Sequence, residues 1–414
     1  MRHSMIIAIA ITSVGGTLSA QEAVESVPQW KVGAASTVIT PERPLRMAGY
    51  GGRTGLADGT VQDLFAKCIT FEDRQGQRVT MITLDLIGVV AELRAAVVRQ
   101  LEEKYQLPQQ AVLMNASHTH CGPAYGRDDA RDYFEQLTQK IVGTVGESLK
   151  KLQPATLSYS VARASVAMNR RTPSATGFVN HPNPAGPVDH SVPVLSVHNP
   201  AGELQTVVFG YACHNTTMGF LKWYGDYAGY AQEYLEADHP GVTALFMMGC
   251  GGDQNPYPRS ELKYAQHHGR TLATAVEAAL EVNQRTQRHQ RSVNGPLQFA
   301  LETVDLKFAV SDRPDFPYPV QAIRFGNDLT LIALGTEVVV DYALRLQSEL
   351  SRSDGPAIWV AGYSNVYSGY IPSRRVLLEG GYEARSRPWD PDLEERIVKK
   401  VHSIVRELKL GPAQ

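Results

Sequence analysis

The chain has 414 residues, of which 43% are hydrophobic and 20% are charged. This composition is ordinary for a globular protein, and the length allows one large domain or two to three smaller ones. Forty Lys and Arg residues against 42 Asp and Glu residues give a net charge of -2, which excludes both the basic footprint of a nucleic-acid-binding protein and a strongly acidic tail.

The first twenty residues have the pattern of a secretory signal peptide. A basic start at Arg2 is followed by an apolar core at residues 5–14, too short to span a bilayer, and by small residues that end at Ala20. No later apolar run reaches transmembrane length. We therefore expect residues 1–20 to be removed, and residues 21–414 to form a single domain in the periplasm or outside the cell.

The first part of the chain predicts alternating strands and helices. Strands are predicted at residues 31–40, 65–72, 79–90 and 112–114, and helices at residues 92–105 and 131–152. The segment between the second and third strands is typical of a hairpin turn. Strands that alternate with helices, separated by Pro and Gly turns, indicate an α/β fold. We expect mixed β-sheets, two of them packed together, with helices on the flanks.

The remainder of the chain continues this pattern. Strands are predicted at residues 156–168, 192–197, 205–212, 242–248, 297–310, 320–325, 329–334 and 358–362, and helices at residues 228–237, 261–282, 338–350 and 393–408. Residues 180–186 are interpreted as part of a long irregular loop, because they hold two prolines and a glycine. A loop of that length in a compact domain is usually functional or disordered.

Two histidines follow the predicted strand at residues 112–114. Side chains alternate between the faces of a strand, so His118 and His120 are expected to point the same way. Gly122 and Pro123 then end the strand. Neutral imidazole is a good ligand for zinc, so the pair predicts a metal or catalytic site, with two hydrogen-bonded histidines in a polar turn as the alternative.

Three more apolar strands end in polar loops, which contain His214, Asp253 and Glu337. In α/β proteins, sites form where the loops at one end of a sheet converge. Two imidazoles, a carboxylate and an open position are the ligands of a hydrolytic zinc site. Taken one at a time, His214 also fits a core histidine, Glu337 a charge at a helix N-terminus, and Asp253 a brace for its own turn.

The chain has four cysteines, Cys68, Cys121, Cys213 and Cys250. In an oxidising compartment they allow three disulfide pairings. Three of them lie in or beside the loops of the expected site, so a disulfide near that site is one interpretation. Buried free thiols fit equally well.

Six motifs along the chain resemble those of the neutral/alkaline (non-lysosomal) ceramidases, zinc amidases that cleave the N-acyl bond of ceramide. The motifs are His118-Thr-His120 with Gly122-Pro123, Asn169-Arg170, Ala212-Cys-His214 through Met218, Gly252-Asp253 through Pro256, Gly335-Thr-Glu337, and Asn365-Val-Tyr-Ser-Gly-Tyr370 with Tyr382-Glu383 beyond. Any one motif is weak evidence, but six in the family's order cover nearly all of the chain that follows the signal peptide.

The resemblance implies a zinc ion with four protein ligands, which are His118, His214, Glu337 and Tyr370. It further implies that His120 is the general acid and base, and that Arg170 and Tyr382 hold and polarise the substrate carbonyl. Tyr367 competes for the tyrosine roles, but Tyr370 and Tyr382 are twelve positions apart, which suits the family pattern. Asp253 and Asn255 are expected to lie behind or beside the substrate.

The sequence also departs from the family. Asn255 stands where lipid-cleaving members have a serine, and Cys121 replaces a serine of the histidine motif. The chain reaches Gln414 without the β-sandwich domain that follows in full-length ceramidases. We therefore expect the catalytic domain alone.

The hypothesis that follows is a secreted zinc hydrolase of the neutral ceramidase type, in which metal-activated water attacks an amide (N-acyl) bond of a small-molecule or lipid-like substrate. One alternative is the same zinc scaffold acting on an ester, lactone, polar amide or glycoside. Another is a metal-containing binding protein without activity. A two-metal hydrolase that uses both His118 and His120 is more distant, because Cys121-Gly122 follows where metallo-β-lactamases continue with Asp-His.

Overall fold

The computed structural model describes residues 29–285, 291–310 and 313–410. The expected signal peptide lies outside these residues. In the described ranges, no helix is both long enough and apolar enough to cross a membrane.

The described residues form strands and helices that alternate along the chain. The strands are β1 (Trp30–Val38), β2 (Phe65–Asp73), β3 (Arg78–Leu84), β4 (Val112–Ala116), β5 (Gln153–Arg163), β6 (Ala167–Ser174), β7 (Gly177–Asn183), β8 (Ser191–His198), β9 (Leu204–Tyr211), β10 (Thr243–Met248), β11 (Gln254–Pro256), β12 (Arg291–Val293), β13 (Leu297–Leu306), β14 (Phe316–Phe325), β15 (Leu329–Leu334), β16 (Glu337–Val338), β17 (Ala357–Ala361) and β18 (Tyr370–Ile371). The helices are α1 (Ala91–Tyr105), α2 (Arg131–Lys150), α3 (Asp226–Asp238), α4 (Leu262–Arg285), α5 (Val340–Leu350), α6 (Arg374–Glu379), α7 (Tyr382–Arg385) and α8 (Leu393–Leu410).

Nine strands build the largest sheet. Eight lie in the order β10-β9-β8-β5-β1-β2-β3-β4, and β12 pairs with β5. Two neighbouring pairs, β3 with β4 and β9 with β10, are parallel. Parallel neighbours need a crossover connection, which α1 and α3 provide. The first and last strands of this order also meet, because the Asn115 side chain of β4 bonds to the backbone of Met248 in β10. The sheet therefore curls until its two ends touch.

A second sheet packs against the first. Its order is β13-β14-β15-β17, with α5 as the crossover between the parallel strands β15 and β17. Trp30 of β1 and Phe71 of β2 lie against Phe325 of β14, with ring centroids 5.6 and 5.3 Å apart. On its other face the second sheet is covered by α5 and α8. The prediction of mixed sheets, two of them packed and flanked by helices, is thus confirmed.

The structure corrects the predicted elements in one region. The strand expected at residues 156–168 is two strands, β5 and β6, because the chain leaves the large sheet after Arg163. The expected loop at 180–186 is largely strand as well, since β7 pairs with β6 in a small sheet of the order β11-β6-β7. The prolines that suggested a loop are tolerated because β7 is an edge strand. Two other strands are shorter than predicted and end at Leu84 and Leu306.

Candidate active site

Asn115, near the end of β4, joins the three segments that surround the site. Its side-chain amide donates to Met248 O at 3.2 Å and to Gly362 O at 2.8 Å, and it accepts from the Met248 N–H at 2.8 Å. The backbone of Asn115 also forms an isolated antiparallel β-bridge with that of Ser364. Since these partners follow or end β10 and β17, one buried amide holds both sheets at a fixed distance. The loops that leave these strands therefore converge.

His118 lies two residues beyond β4, in a loop. Its φ of 63° is left-handed, so the strand alternation used to predict its direction does not apply. Its Nδ1 is 2.6 Å from Ile87 O. A carbonyl only accepts, so Nδ1 carries the proton and Nε2 presents a lone pair. The outcome expected for the pair still holds, since His118 and His120 have Nε2 atoms 3.1 Å apart.

His214, three residues beyond β9, is fixed in the same way. Its Nδ1 is 2.7 Å from Gly251 O and 3.1 Å from Gln254 O, which leaves Nε2 as the lone-pair atom. Burial, together with the positive charge of Arg170, lowers the pKa of His214 to about 3. The ring is therefore neutral near pH 7, as a metal ligand must be.

Glu337 brings the carboxylate to these two rings. Its Oε2 is 3.2 Å from His118 Nε2 and 3.3 Å from His214 Nε2. The residue forms the two-residue strand β16, in register with Tyr370 of β18. The carboxylate faces the imidazoles and not the N-terminus of α5.

These atoms fit a divalent cation. Two imidazole Nε2 atoms and Glu337 Oε2 carry lone pairs and face one another, and buried Oε2 has no hydrogen-bond donor among the described residues. Lone pairs at such distances repel unless a positive charge lies between them. Nitrogen and carboxylate ligands suit zinc. Nitrogen atoms of His118, His120 and His214 also lie within 4.8 Å of one another, so this buried triad could itself hold a metal ion.

Two combinations of ligands are therefore geometrically open. We favour His118, His214 and Glu337, because the two Nδ1 protons are held by backbone carbonyls and Oε2 is centred between the rings. His120 differs, since its Nδ1 is buried without a partner among the described residues. Burial, with the neighbouring rings of His118 and His214, keeps the pKa of His120 well below its usual range.

Arg170 of β6 lies on the other side of the site. Its guanidinium donates to Tyr370 Oη at 2.9 Å, to Asn255 Oδ1 at 3.2 Å and to His214 Nε2 at 3.2 Å. Its Nε donates to Glu383 Oε1 at 2.9 Å. Burial raises the pKa of the Glu383 carboxyl, but Arg170 outweighs burial and lowers it. The Arg170 guanidinium is therefore held by Glu383 and lies directly beside His214.

Tyr370 and Tyr382 lie in sequence from the interior to the surface. Tyr370 is buried, and its Oη is 3.5 Å from His214 Nε2. Tyr382 is 58% exposed. Its ring centroid is 5.3 Å from that of Tyr370 and 5.7 Å from the guanidinium carbon of Arg170. Tyr382 therefore stands at the mouth of the site, where a substrate would enter.

Asp253 and Asn255 occupy different positions. Asp253 is fully buried, accepting from the Val340 N–H at 2.9 Å and from Asn169 Nδ2 at 3.2 Å. It braces other elements and not only its own turn. Burial raises the pKa of Asp253 to about 6. Asn255, in contrast, contacts Arg170 directly, since its Oδ1 accepts from the guanidinium at 3.2 Å.

Two residues near the site, Glu383 and Tyr363, had no predicted role, and a third, Tyr367, was predicted only as a competitor for the tyrosine roles. Glu383 holds Arg170, and the only signal for it was its place directly after Tyr382 in the last motif. Tyr363 packs its ring 4.5 Å from that of His118, with a φ of 49°. The Tyr367 hydroxyl donates to Glu337 Oε1 at 3.3 Å, so Tyr367 contacts the carboxylate while Tyr370 contacts the histidine.

The cysteines near the site are not paired. Cys68, Cys121, Cys213 and Cys250 are all buried free thiols. Burial raises the pKa of the Cys121 thiol to about 12, so it is protonated beside the histidine loop. A disulfide near the site, one of the two interpretations of the sequence, is therefore not formed.

Comparison with known proteins identifies relatives of this chain. The model of one protein family, "Neutral/alkaline non-lysosomal ceramidase, N-terminal", matches residues 30–249. Neutral ceramidase A of Dictyostelium discoideum is 24% identical over 237 residues, which are 52% of this chain and 33% of that protein. Neutral ceramidase B of the same organism is 24% identical over 259 residues, 56% of this chain and 36% of its own length. The chain thus spans about a third of the curated relatives it matches.

Solved structures share the fold over most of the chain. The neutral ceramidase from Pseudomonas aeruginosa superposes with a TM-score of 0.78 at 18% identity, over 94% of this chain and 76% of that one. A ceramidase complexed with C2 superposes with a TM-score of 0.79 at 18% identity, over 93% and 76%. At this identity the likeness is one of fold.

Proposed function

Because this chain belongs to the neutral/alkaline non-lysosomal ceramidase family, we propose that it is a zinc-dependent hydrolase that cleaves an amide (N-acyl) bond of a lipid-like substrate. One observation carries the proposal. Two imidazoles with their Nδ1 protons turned away meet an unsatisfied carboxylate oxygen, with Glu337 Oε2 at 3.2 Å and 3.3 Å from the Nε2 atoms of His118 and His214.

The proposed ligands are His118, His214, Glu337 and Tyr370. When bound, zinc polarises a carbonyl oxygen and lowers the pKa of a coordinated water to about 7. Burial holds the pKa of Tyr370 well above its usual value, even though Arg170 acts in the opposite direction. We assign Tyr370 as the fourth ligand, with its Oη oriented by the hydrogen bond from Arg170.

Arg170 and Tyr382 are the proposed stabilisers of the oxyanion. Arg170 is buried with Glu383 as its counter-ion, so its charge is fixed in place before a substrate arrives. Tyr382 is exposed beside it and is free to donate its hydroxyl to a substrate carbonyl. A donor aimed at the developing negative charge contributes roughly 3 kcal/mol to the transition state.

His120 is the proposed general acid and base. Its Nε2 faces His118 Nε2 at 3.1 Å, and so it lies beside the atoms that meet at Glu337. His120 would take a proton from the attacking water at Nε2 and give it to the leaving nitrogen. Proton transfer by a positioned side chain contributes about 10²–10⁴-fold.

The substrate has a second candidate. Asn255 accepts from Arg170 through its Oδ1, where a serine was expected from the resemblance. Because that serine is replaced, the second candidate is the same scaffold acting on a substrate other than ceramide, such as a short polar amide or an ester. A panel of a long-chain ceramide, a short-chain N-acyl amide, an ester and a glycoside separates the candidates by their kcat/KM values.

Metal removal tests the proposal. We expect a chelator to abolish hydrolysis of a short-chain N-acylated sphingoid base, and added zinc to restore it at a single metal ion per chain. Elemental analysis of the same samples reports the metal content. Turnover that persists in the metal-free protein would falsify the proposal.

We further propose that the protein is exported and that residues 21–414 form its working domain. Support comes from the basic, apolar and small-residue pattern of residues 1–20. Mass spectrometry of the protein from secreted and periplasmic fractions should find an N-terminus at Gln21. An N-terminal peptide that retains residues 1–20 in those fractions would contradict it.

A further inference from the structure

A glycine-rich loop, Met47 to Arg53, has no role in the proposed function. Gly49 lies in this loop with a φ of +95°. A Cβ on Gly49 would be 2.5 Å from Cγ and 2.6 Å from Nδ1 of His120. The loop backbone therefore lies directly on the His120 ring, and glycine is needed both for the turn and for the close approach.

The ring of His120 is oriented differently from the other two. Nδ1 of His118 and of His214 is held by backbone carbonyls, whereas Nδ1 of His120 has no partner among the described residues. Packing takes the place of that hydrogen bond. Gly49 covers one part of the ring, and Tyr50 contacts it edge-on with centroids 4.7 Å apart.

Arg53 ties this loop to the backbone of His120. Its Nη1 donates to Ala48 O at 2.9 Å and also to His120 O. Its Nη2 donates to Phe220 O at 3.1 Å, and its guanidinium lies 4.7 Å from the Tyr50 ring centroid. One side chain thus joins the glycine-rich loop, the histidine loop and the loop after His214 around a single imidazole.

We propose that Arg53 is a positioning residue for His120, holding the loop against the ring so that Nε2 faces the bond to be cleaved. The inference rests on the proposed function, because it concerns the proton donor of that reaction. Arg53 does not contact the carbonyls of Ile87, Gly251 and Gln254 that fix the ligand rings. Its loss should therefore disturb His120 and leave zinc binding intact.

The chemistry of the leaving group tests this role. An amine must be protonated as it leaves, whereas 4-nitrophenolate leaves without a proton. In Arg53→Lys, which keeps the charge but loses the guanidinium fork, we expect kcat for an N-acyl amide to fall by about 10- to 100-fold, the size of effect that a small misplacement causes. The 4-nitrophenyl ester of the same acid needs His120 only to take the proton of the attacking water, so we expect its kcat to fall by a smaller factor than that of the amide, with KM and zinc content unchanged.

Arg43→Lys is the matched control. Arg43 is a surface arginine that pairs with Asp132, away from the site, so both substrates should be turned over as in the wild type. Equal losses on amide and ester in Arg53→Lys, or no loss on either, would overturn the inference. Zinc-loaded wild type that hydrolyses neither substrate would instead refute the proposed function, and this inference with it.

A second measurement does not depend on activity. Diethyl pyrocarbonate modifies exposed imidazoles, and His120 is shielded by the loop. In zinc-loaded Arg53→Ala, peptide mapping should show faster modification of His120 than in the wild type, while His118 and His214 stay protected. An unchanged rate at His120, in a variant that retains its fold by circular dichroism, would show that Arg53 does not hold the loop in place.

Discussion

The two sides of the candidate site are built by different means. On the histidine side, carbonyls of Ile87, Gly251 and Gln254 fix the rings; Ile87 and Gly251 lie in loops that follow strands, and Gln254 begins β11. On the arginine side, Arg170 is held by the carboxylate of Glu383, which comes from the short helix α7 near the end of the chain. Backbone holds the first side, and buried charges hold the second.

The difference teaches where each side is sensitive. A backbone hydrogen bond survives most substitutions, so the histidine side should fail only when a ligand itself is removed. The arginine side depends on complete ion pairs. Arg171, next to Arg170, pairs with both Glu379 and Glu383, so α6 and α7 are attached by the same buried charges that fix the guanidinium. Removing one partner of a buried pair costs about 3–5 kcal/mol, because the other is left uncompensated.

The largest expected effect is loss of a ligand. His118→Ala should abolish zinc binding and activity while the fold persists, since the backbone network through Asn115 is untouched. Removing a residue that only hydrogen-bonds to a ligand lowers metal affinity by about 10- to 100-fold, and loss of His118 itself should lower it by more. Metal titration and kcat measure it. His239→Ala, which removes a surface histidine paired with Glu277, is the control. If His118→Ala bound zinc as tightly as the wild type, His118 would not be a ligand and the account of the histidine side would be wrong.

Glu383→Gln is the matching change on the arginine side. We expect the free energy of unfolding to fall by about 3 kcal/mol and kcat to fall about 10²-fold as Arg170 loses its fixed direction. Zinc content should be unchanged. Denaturant unfolding and steady-state kinetics measure the two effects. A variant as stable and active as the wild type would show that Arg170 is held without this carboxylate.

The effect of Glu383→Gln should depend on pH in a defined direction. Burial raises the pKa of Glu383 but Arg170 outweighs it, so the folded pKa lies below the unfolded one. Such a group contributes stability above its unfolded pKa, about 4.3, that is lost as pH falls through the folded value. The difference in unfolding free energy between wild type and variant should therefore be full near neutrality and shrink below pH 4. A difference that grows on acidification would contradict the assignment.

Tyr382→Phe should have a smaller and purely catalytic effect. Tyr382 is exposed and packs only by its ring, so stability and zinc content should not change. Loss of its hydroxyl should lower kcat by about 10²-fold if it donates to the oxyanion. Tyr234→Phe, a surface tyrosine stacked on Tyr230, is the control. Unchanged kcat would leave Arg170 as the sole donor on that side.

The same contrast explains what could be predicted from sequence. His118, His214 and Glu337 each follow an apolar strand, and strand ends converge in α/β folds, so their approach was predictable. The direction of the His118 side chain was predicted from strand alternation. That reasoning was wrong, because His118 has a left-handed backbone conformation and lies in a loop. A histidine in the sequence does not by itself indicate a left-handed backbone conformation.

The arginine side could not be derived in this way. Glu383 is 213 residues from Arg170 in sequence, and nothing in the local pattern of either residue names the other. The resemblance to a family supplied roles for Arg170 and Tyr382, but it gave no role to Glu383, the carboxylate that holds Arg170. Asn115 and Arg53 were missed for the same reason, since their partners are backbone carbonyls of distant segments. Periodicity reports which face of an element is buried, and it carries no information on such partners.

The smallest expected effect concerns Asp253, which joins the two sides. Its Oδ1 accepts from Val340, just beyond Glu337, and its Oδ2 from Asn169, just before Arg170. In Asp253→Asn one oxygen becomes an NH₂ group that faces the amide of Asn169. We expect a loss of about 1–3 kcal/mol in unfolding free energy, the range for a buried group left without its partner, with kcat reduced only slightly.

The pH dependence of Asp253→Asn should run opposite to that of Glu383→Gln. Burial raises the folded pKa of Asp253 to about 6, above the unfolded value. A carboxyl of this kind contributes stability below its unfolded pKa that is lost as pH rises through the folded one. The stability cost of Asp253→Asn should therefore be largest below about pH 4, shrink between about pH 4 and pH 6, and stay constant above about pH 6, as measured by unfolding at several pH values. A cost that instead grows with rising pH would show that Asp253 is an ionised partner of Arg375, 3.7 Å away, and that it belongs with the charged network of the arginine side.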